Sequence, residues 1–597
     1  MNRLPVKEVI CKGIAASPGI AIGVATVLSR EKLEFDRKEI SKNQVDEEIE
    51  RFHEALVSTR SQLKVIRNRV LNRLGETAAN LFESHILILD DPVVIDETIK
   101  RIRKQKRNTE WVYFDLMSEF FNTLSSSEDD YLKERGVDIL DVKRRVLRNL
   151  MGEKSQEIKS NKGMRIMVAH QMTPSQTVML DRNIILGLSV DLGGRTSHVA
   201  ILAKGLEKPA VVGLKNFSDR VKNDDRLVVD GNSGKVILHP SKETLLRYRE
   251  LQEKYQEFQQ TLQPLKELPA KTLDGHDVQI AANIDLPDEA KSALNYGAKG
   301  IGLFRTEYIF LNKTDFPSEE EQYQEYLKVV DSIYPNSVKI RTFDLGGDKS
   351  VLGEDSYDEE NPFLGWRSIR ISLDIPELFL KQLKAILRAS SRKSLRMMFP
   401  MISAVEEVRE SKILLRQAME ELKKEGKAFN QNIEIGIMVE VPSAVLLAGH
   451  LAKEVNFFSI GTNDLIQYTL AVDRGNERIA NLYTNYHPAI LRQIKETVEV
   501  GHKNGIWVGL CGEMASDLHM VPFLVGLGMD ELSVTPANIP GVKKLIRSIR
   551  FNSMKRLADE IVNFSTADEI EDRLKAFMLK EAPQFSEVFQ VEITDKN

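Results

Sequence analysis

The sequence predicts a multidomain α/β protein: an α/β domain carrying an all-helical insertion, followed by a C-terminal (β/α)8 barrel. Three observations predict it. At 597 residues the chain exceeds what one hydrophobic core can organise. From about residue 267 to 588 a short β-rich run followed by a helical segment recurs eight times, the pattern of a parallel barrel. Two strand-rich stretches, 1–35 and 151–238, flank a block over 36–150 of purely helical texture.

The first stretch, GIAASPGIAIGVATVL, alternates small and β-branched residues around Gly and Pro and reads as short strands and turns. From about Ser41, Ile49, Phe52, Leu56, Leu63, Ile66 and Val70 recur at intervals of three, four or seven, which makes a long amphipathic helix. Helical texture continues through LFESHILILDD (81–91) to DYLKERGVDILDVKRRVLRNLMG, with SSSEDD (125–130) as a polar loop. Strands return at about Met164 in MRIMVAH, NIILGLSV, RLVVDG and KVILHP, with SHVAILAKGL between them as a short helix. These strands complete those of the first 35 residues, so 36–150 reads as an insertion. Residues 239–266 are charged and amphipathic and meet Pro264, which predicts a linker helix. The barrel strand candidates over 267–588 are QIAANID, KGIGLFRTE, VKIRTFDLG, LRMMFPMI, IEIGIMVE, FFSIGTNDL, IWVGLCGE and ELSVTP. The last residues, 589–597, read as a polar tail.

Composition narrows the function class. A net charge of -5, from 83 basic and 88 acidic residues, argues against a general nucleic-acid binder. Two distant cysteines, Cys11 and Cys511, make no disulfide framework, and a reducing compartment is expected. The N-terminal MNRLPVKEVICKGIAASPG lacks the apolar core of a signal peptide, and no apolar run approaches the roughly 18 residues of a membrane span. A cytoplasmic protein is the expectation.

Polar residues collect where a barrel places its chemistry. Asn283, Arg305, Arg341, Glu440, Asn463, Asp464 and Cys511 fall at or just past the C-terminal ends of the strand candidates. In the first domain, Asp191-Leu-Gly-Gly-Arg-Thr-Ser-His198 leaves an apolar strand, turns on Gly193 and Gly194 and enters a helix. Thr196 and Ser197 are N-cap residue types, which leaves His198 in the first turn, where free N–H groups favour an anion. A neutral imidazole there is a nucleophile suited to relay chemistry. A Ser-His pair at a helix start is by itself only a cap; the longer string GGRTSHVAILAKGLEKPAVVG (193–213) carries more.

That string resembles the phosphohistidine signature of the phosphoenolpyruvate-utilising enzymes, which bear it on a swivelling α/β domain. With GIAASPGIA (13–21), GLFRTEYIF (302–310), RTFDLGGDK (341–349), NPFLGWRSIR (361–370), FSIGTNDLIQYTLAVDRGN (458–476) and LCGEMASD (510–517), the chain resembles the enzyme I family of the bacterial phosphoenolpyruvate-dependent phosphotransferase system over nearly its whole length. The resemblance implies phosphoryl transfer from phosphoenolpyruvate to His198 and on to a histidine of the carrier protein HPr. It makes Thr173, in MTPSQT, a hydrogen-bond partner of the active histidine. It makes 36–150 the HPr-binding domain, and it implies a homodimer through the barrel. His85, in the helix resembling the HPr contact, reads as an ordinary interface or structural histidine.

Phosphoenolpyruvate carries a phosphate and a carboxylate, which guanidinium groups bind bidentately. Arg305, Arg341, Arg367 and Arg474, with Lys349 in the loop after the third barrel strand, are the expected substrate ligands. Glu440 and Asp464 with substrate oxygens make a hard oxygen site that suits Mg2+ and not zinc, and Asn463 is expected to hold a phosphate oxygen. Cys511, by position alone a core cysteine, becomes through the LCGEMASD match the acid that protonates the enolate. Pyruvate phosphate dikinase and phosphoenolpyruvate synthase share these motifs but need a nucleotide-binding domain, and no GxxxxGK[ST] loop occurs here. Because His198 must meet both the barrel and a carrier, a swing about residues 238–266 is expected.

Overall fold

The computed structural model describes residues 8–28, 35–74, 76–125, 130–152, 164–172, 184–194, 199–200, 203, 206, 208–310, 316–346, 361–392, 394–474, 479 and 482–585. The chain divides between Glu257 and Phe258 into two compact units.

In the first unit β1 (Val9–Lys12), β2 (Ile14–Ser17), β3 (Ile20–Leu28), β4 (Arg165–Ala169), β5 (Ile185–Val190), β6 (Ala210–Val212), β7 (Arg226–Asp230) and β8 (Lys235–Leu238) make one sheet. Its order is β1-β8-β7-β3-β4-β5-β6-β2. The β3–β4, β4–β5 and β5–β6 pairs are parallel and the other pairs antiparallel. Strand β4 reads as an unbroken apolar run because both its faces are covered. Met167 and Ala169 enter one core with Leu188 and Val199; Ile166 and Val168 enter another with Phe217 and Val229.

Among the described residues, five α-helices lie in sequence between the neighbouring strands β3 and β4: α1 (Val45–Leu74), α2 (Glu76–Leu89), α3 (Pro92–Gln105), α4 (Thr109–Ser125) and α5 (Asp130–Leu150). The periodicity of α1 puts Phe52, Leu56, Leu63 and Ile66 on one face, where they meet Phe82, Tyr113, Leu116, Val142 and Val146. Helix α3 starts at Pro92 because the Asp91 carboxylate accepts from the Val93 N–H at 2.8 Å.

The helix Lys242–Leu262 contributes to both units. Tyr248 packs with Ile20, Val228 and Ile237, whereas the Phe258 ring lies 5.2 Å from that of Phe585. Pro264 sits in the short 3₁₀ turn Gln263–Leu265 that follows it.

The second unit is built on a closed parallel barrel of β9 (Gln279–Ile284), β10 (Gly300–Phe304), β11 (Ser337–Arg341), β12 (Leu395–Phe399), β13 (Glu434–Val439), β14 (Phe457–Ile460), β15 (Trp507–Leu510) and β16 (Glu531–Val534). Each strand candidate read from the sequence overlaps one of these eight, which establishes the (β/α)8 class. Capping boxes open two of the outer helices, Ser318 with Glu321 and Thr566 with Glu569. A third helix, Phe551–Ile561, takes its cap from far away in sequence: the Asp274 carboxylate accepts from the Phe551 and Asn552 N–H groups at 2.6 and 3.1 Å. Inside the barrel Lys339 Nζ meets Glu531 at 2.6 Å, both side chains buried. Among the described residues no helix is long and apolar enough to cross a membrane.

Candidate active site

The C-terminal ends of the barrel strands bring most of the expected residues to one rim. Arg341 is the last residue of β11; Arg305, Glu440 and Cys511 directly follow β10, β13 and β15. Asn463 and Asp464 lie in the first turn of the helix Thr462–Leu470, two residues beyond β14. Arg367 is brought back to the segment that leaves β11 by an isolated bridge to Gly346. Arg474 follows the same helix as Asp464, its backbone N–H reaching Gln467 Oε1 at 3.3 Å. His198, Thr173 and Lys349 lie outside the described residues. Beside them, Gly193 has a φ of 115°, the left-handed backbone that glycine tolerates, and Val199 and Ala200 are helical.

Two guanidinium groups and two carboxylates form a chain of alternating charge. Glu307 accepts from Arg341 Nη2 at 2.8 Å. Arg341 Nη1 lies 3.2 Å from Asp344, and both oxygens of Asp344 accept from Arg367 Nη2 at 3.0 Å. All four side chains are buried. Glu307 is itself fixed, since its Oε1 also accepts from the Asp344 N–H at 2.9 Å. The far side of Arg367 donates to the Tyr468 hydroxyl at 3.0 Å, and Asp464 stands 3.9 Å from the same nitrogen. Burial works against both guanidinium charges; Glu307 and Asp344 for Arg341, and Asp344 and Asp464 for Arg367, outweigh it and hold both pKa values up. The Nε atom of each arginine is buried with no hydrogen-bond partner among the described residues. Both therefore keep a donor for an anion. Arg305 is more open, 35% exposed, and pairs with Asp285 at 2.8 Å.

Glu440 is 1% exposed, its carboxylate accepting from the Met401 N–H at 2.6 Å. Burial, with Asp464 and Asp344 adding repulsion, pushes its pKa well above the carboxylate range. A divalent cation between Glu440 and Asp464 would remove that repulsion, and the donors are hard oxygens, so the set fits Mg2+. Charge balance agrees. Among the described residues the rim offers the guanidinium groups of Arg305, Arg341, Arg367 and Arg474 against the carboxyl groups of Asp285, Glu307, Asp344, Glu440 and Asp464. An anionic ligand needs a cation beside it there.

Asn463 Oδ1 accepts from the Glu513 N–H at 2.9 Å, which orients its amide. Cys511 is 2% exposed; its thiol points to the Ile460 carbonyl at 3.7 Å, and burial pushes its pKa up to about 11. It is protonated at neutral pH, as a proton donor must be. His85 is buried in the helical bundle, Nε2 3.0 Å from Asp138 and Nδ1 3.6 Å from Asp141, which makes it a structural residue.

Sequence reasoning missed Glu307, Asp344 and Tyr468 as partners of the arginines. All three stand inside motifs already singled out, GLFRTEYIF, RTFDLGGDK and FSIGTNDLIQYT, and the Arg341–Asp344 spacing of three was a usable signal.

Comparisons with known proteins agree with the geometry. Residues 12–135 match the family model of the PEP-utilising enzyme N-terminal domain, 162–234 that of the mobile domain, and 259–551 that of the PEP-binding domain. A Haemophilus influenzae protein named phosphoenolpyruvate-protein phosphotransferase is 43% identical over 568 residues, 95% of this chain and 99% of that one. Proteins of the same name from Staphylococcus carnosus and Listeria monocytogenes are each 41% identical over 566 residues, covering 95% of this chain and 98% and 99% of theirs. The chain therefore belongs to the PEP-utilising enzymes, together with these phosphoenolpyruvate-protein phosphotransferases.

Proposed function

We propose that the protein is a phosphoenolpyruvate-protein phosphotransferase that takes a phosphoryl group from phosphoenolpyruvate onto His198 and passes it to a histidine of the small carrier HPr. The observation that carries the reading is the meeting, at one barrel rim, of buried arginines with unpartnered Nε donors, two carboxylates of metal-ligand type and a buried thiol.

Arg341 and Arg367 hold the phosphate and carboxylate, with Arg305, Arg474 and Lys349 completing the anion pocket and Asn463 on a phosphate oxygen. Glu440 and Asp464 hold Mg2+, which when bound offsets charge on the phosphoryl oxygens. The bond from phosphorus to the bridging oxygen breaks, the phosphoryl group moves to the His198 ring, and the electron pair stays on the enolate. Cys511 gives its proton to the methylene carbon, and pyruvate leaves. Thr173 orients the His198 ring. The helices α1–α5 receive HPr, and His198 reaches both partners by a swing of its domain. The resemblance to enzyme I supports a cytoplasmic homodimer joined through the barrel.

Incubation with radiolabelled phosphoenolpyruvate and Mg2+ tests this. An acid-labile, base-stable label on the protein is expected, absent in His198→Ala, lost on chelation and released to added HPr. An unlabelled protein would refute the enzyme reading; label that survives His198→Ala would refute the choice of nucleophile.

A further inference from the structure

The Cys511 thiol sits at the barrel rim on a single residue past the end of β15, where the ladder to β16 has already stopped. Strands β15 and β16 pair only at Gly509–Glu531 and Leu510–Leu532. The Cys511 carbonyl is caught instead by a side chain from β9: Asn283 Nδ2 donates to it at 2.8 Å and to the Ser533 carbonyl at 3.2 Å. The other end of the same amide is used too, because Asn283 Oδ1 accepts from Ser533 Oγ at 2.6 Å. On the opposite side, the Cys511 N–H donates to the Ile460 carbonyl at 3.0 Å, and Gly512 lies so close to the helix Thr462–Leu470 that a Cβ there would stand 1.8 Å from Thr462 Oγ1.

We propose that Asn283 and Ser533 are positioning residues that fix the direction of the Cys511 thiol, and so decide which face of the pyruvate enolate receives the proton. The inference rests on the phosphotransferase reading. Only an amide satisfies this arrangement: it offers two N–H groups to two carbonyls and one oxygen to a hydroxyl, whereas a carboxylate would confront two carbonyl oxygens. Among the described residues neither side chain hydrogen-bonds to the arginine chain, so their work concerns the carbon end of the substrate and not its anions. The step itself is balanced. The enolate carbon forms a C–H bond with the Cys511 proton, the S–H electron pair stays on sulfur, and water returns a proton to the thiolate. A thiol displaced by even a fraction of an ångström loses this transfer steeply, and the enolate then takes its proton from water on either face.

The test uses the full-length protein with Mg2+, (Z)-[3-2H]phosphoenolpyruvate and HPr as the acceptor that permits turnover, in tritiated water, and reads the chirality of the methyl group of the pyruvate formed. Wild type is expected to give one chiral product. Asn283→Asp, and in lesser degree Ser533→Ala, are expected to give largely racemic pyruvate at a kcat lowered roughly 10–100-fold, with KM for phosphoenolpyruvate unchanged. In a Cys511→Ala background Asn283→Asp is expected to add nothing. Chiral pyruvate from folded Asn283→Asp and Ser533→Ala would overturn the proposal, as would additive losses in the double variant. A wild type that forms no pyruvate would overturn the phosphotransferase reading itself, a separate outcome.

Discussion

At the scale of single residues, the alternating chain Glu307–Arg341–Asp344–Arg367 ties stability to the proposed binding of the substrate. Replacing Arg341 by Met leaves the buried Glu307 without its guanidinium and Asp344 with Arg367 alone, and the expected cost is about 3–5 kcal/mol, read as a fall in the barrel's urea midpoint. Arg305→Met, at a third-exposed site, is expected to leave that midpoint nearly unchanged and to raise KM for phosphoenolpyruvate. The chain is also self-neutralised, so a small monoanion gains little by binding to it. A ligand with two anionic ends and an accompanying cation can compete with Asp344. Cys511 gives a pH prediction. Its thiol is raised to about 11, so the proton-donating form persists below that value and disappears above it. Stereospecific pyruvate formation should show no loss from this group between about pH 6 and 9, whereas an ordinary thiol near 8.5 would lose its proton within that range.

At the scale of elements, the helix Phe551–Ile561 depends on a cap supplied from before β9. Desolvation opposes the Asp274 charge, but the N–H groups of Asn552 and Phe551 and the Thr272 hydroxyl outweigh it and hold the carboxyl at about 2. A folded value below the unfolded one means stability that is present above the ordinary aspartate range and lost as pH falls toward 2. Asp274→Asn should therefore lower the unfolding midpoint at pH 7, with the deficit narrowing below about pH 4; a deficit independent of pH would refute the cap's charge. Contacts of this kind were not legible in the sequence. Asp274 and Phe551 are 277 residues apart, and Asn283 and Cys511 are 228 apart. The barrel strands were legible because strands buried on both faces read as short apolar runs that recur. Arg341, Glu440 and Cys511 were legible because they interrupt such runs at their C-terminal ends. Which carboxylate meets which guanidinium was not, since that is set by side-chain direction across neighbouring strands.

At the scale of the whole molecule, five helices intervene between strands that are hydrogen-bonded neighbours, Ala25–Leu28 of β3 pairing in parallel with Ile166–Ala169 of β4. A parallel pair needs a crossover of about a dozen residues, so replacing 36–150 by a Gly/Ser linker of about that length should leave both the sheet and the barrel folded. Such a variant is expected to accept label from phosphoenolpyruvate and to fail in passing it to HPr. Loss of self-labelling in a folded variant would show that the helices serve the first transfer as well. On the proposed reading, with the strand register kept by the sheet and not by the helices, recipient choice and donor chemistry would be inherited as separable traits. The bundle could then be exchanged like a cartridge, and a lineage could acquire a new recipient without retuning the reaction that charges the histidine.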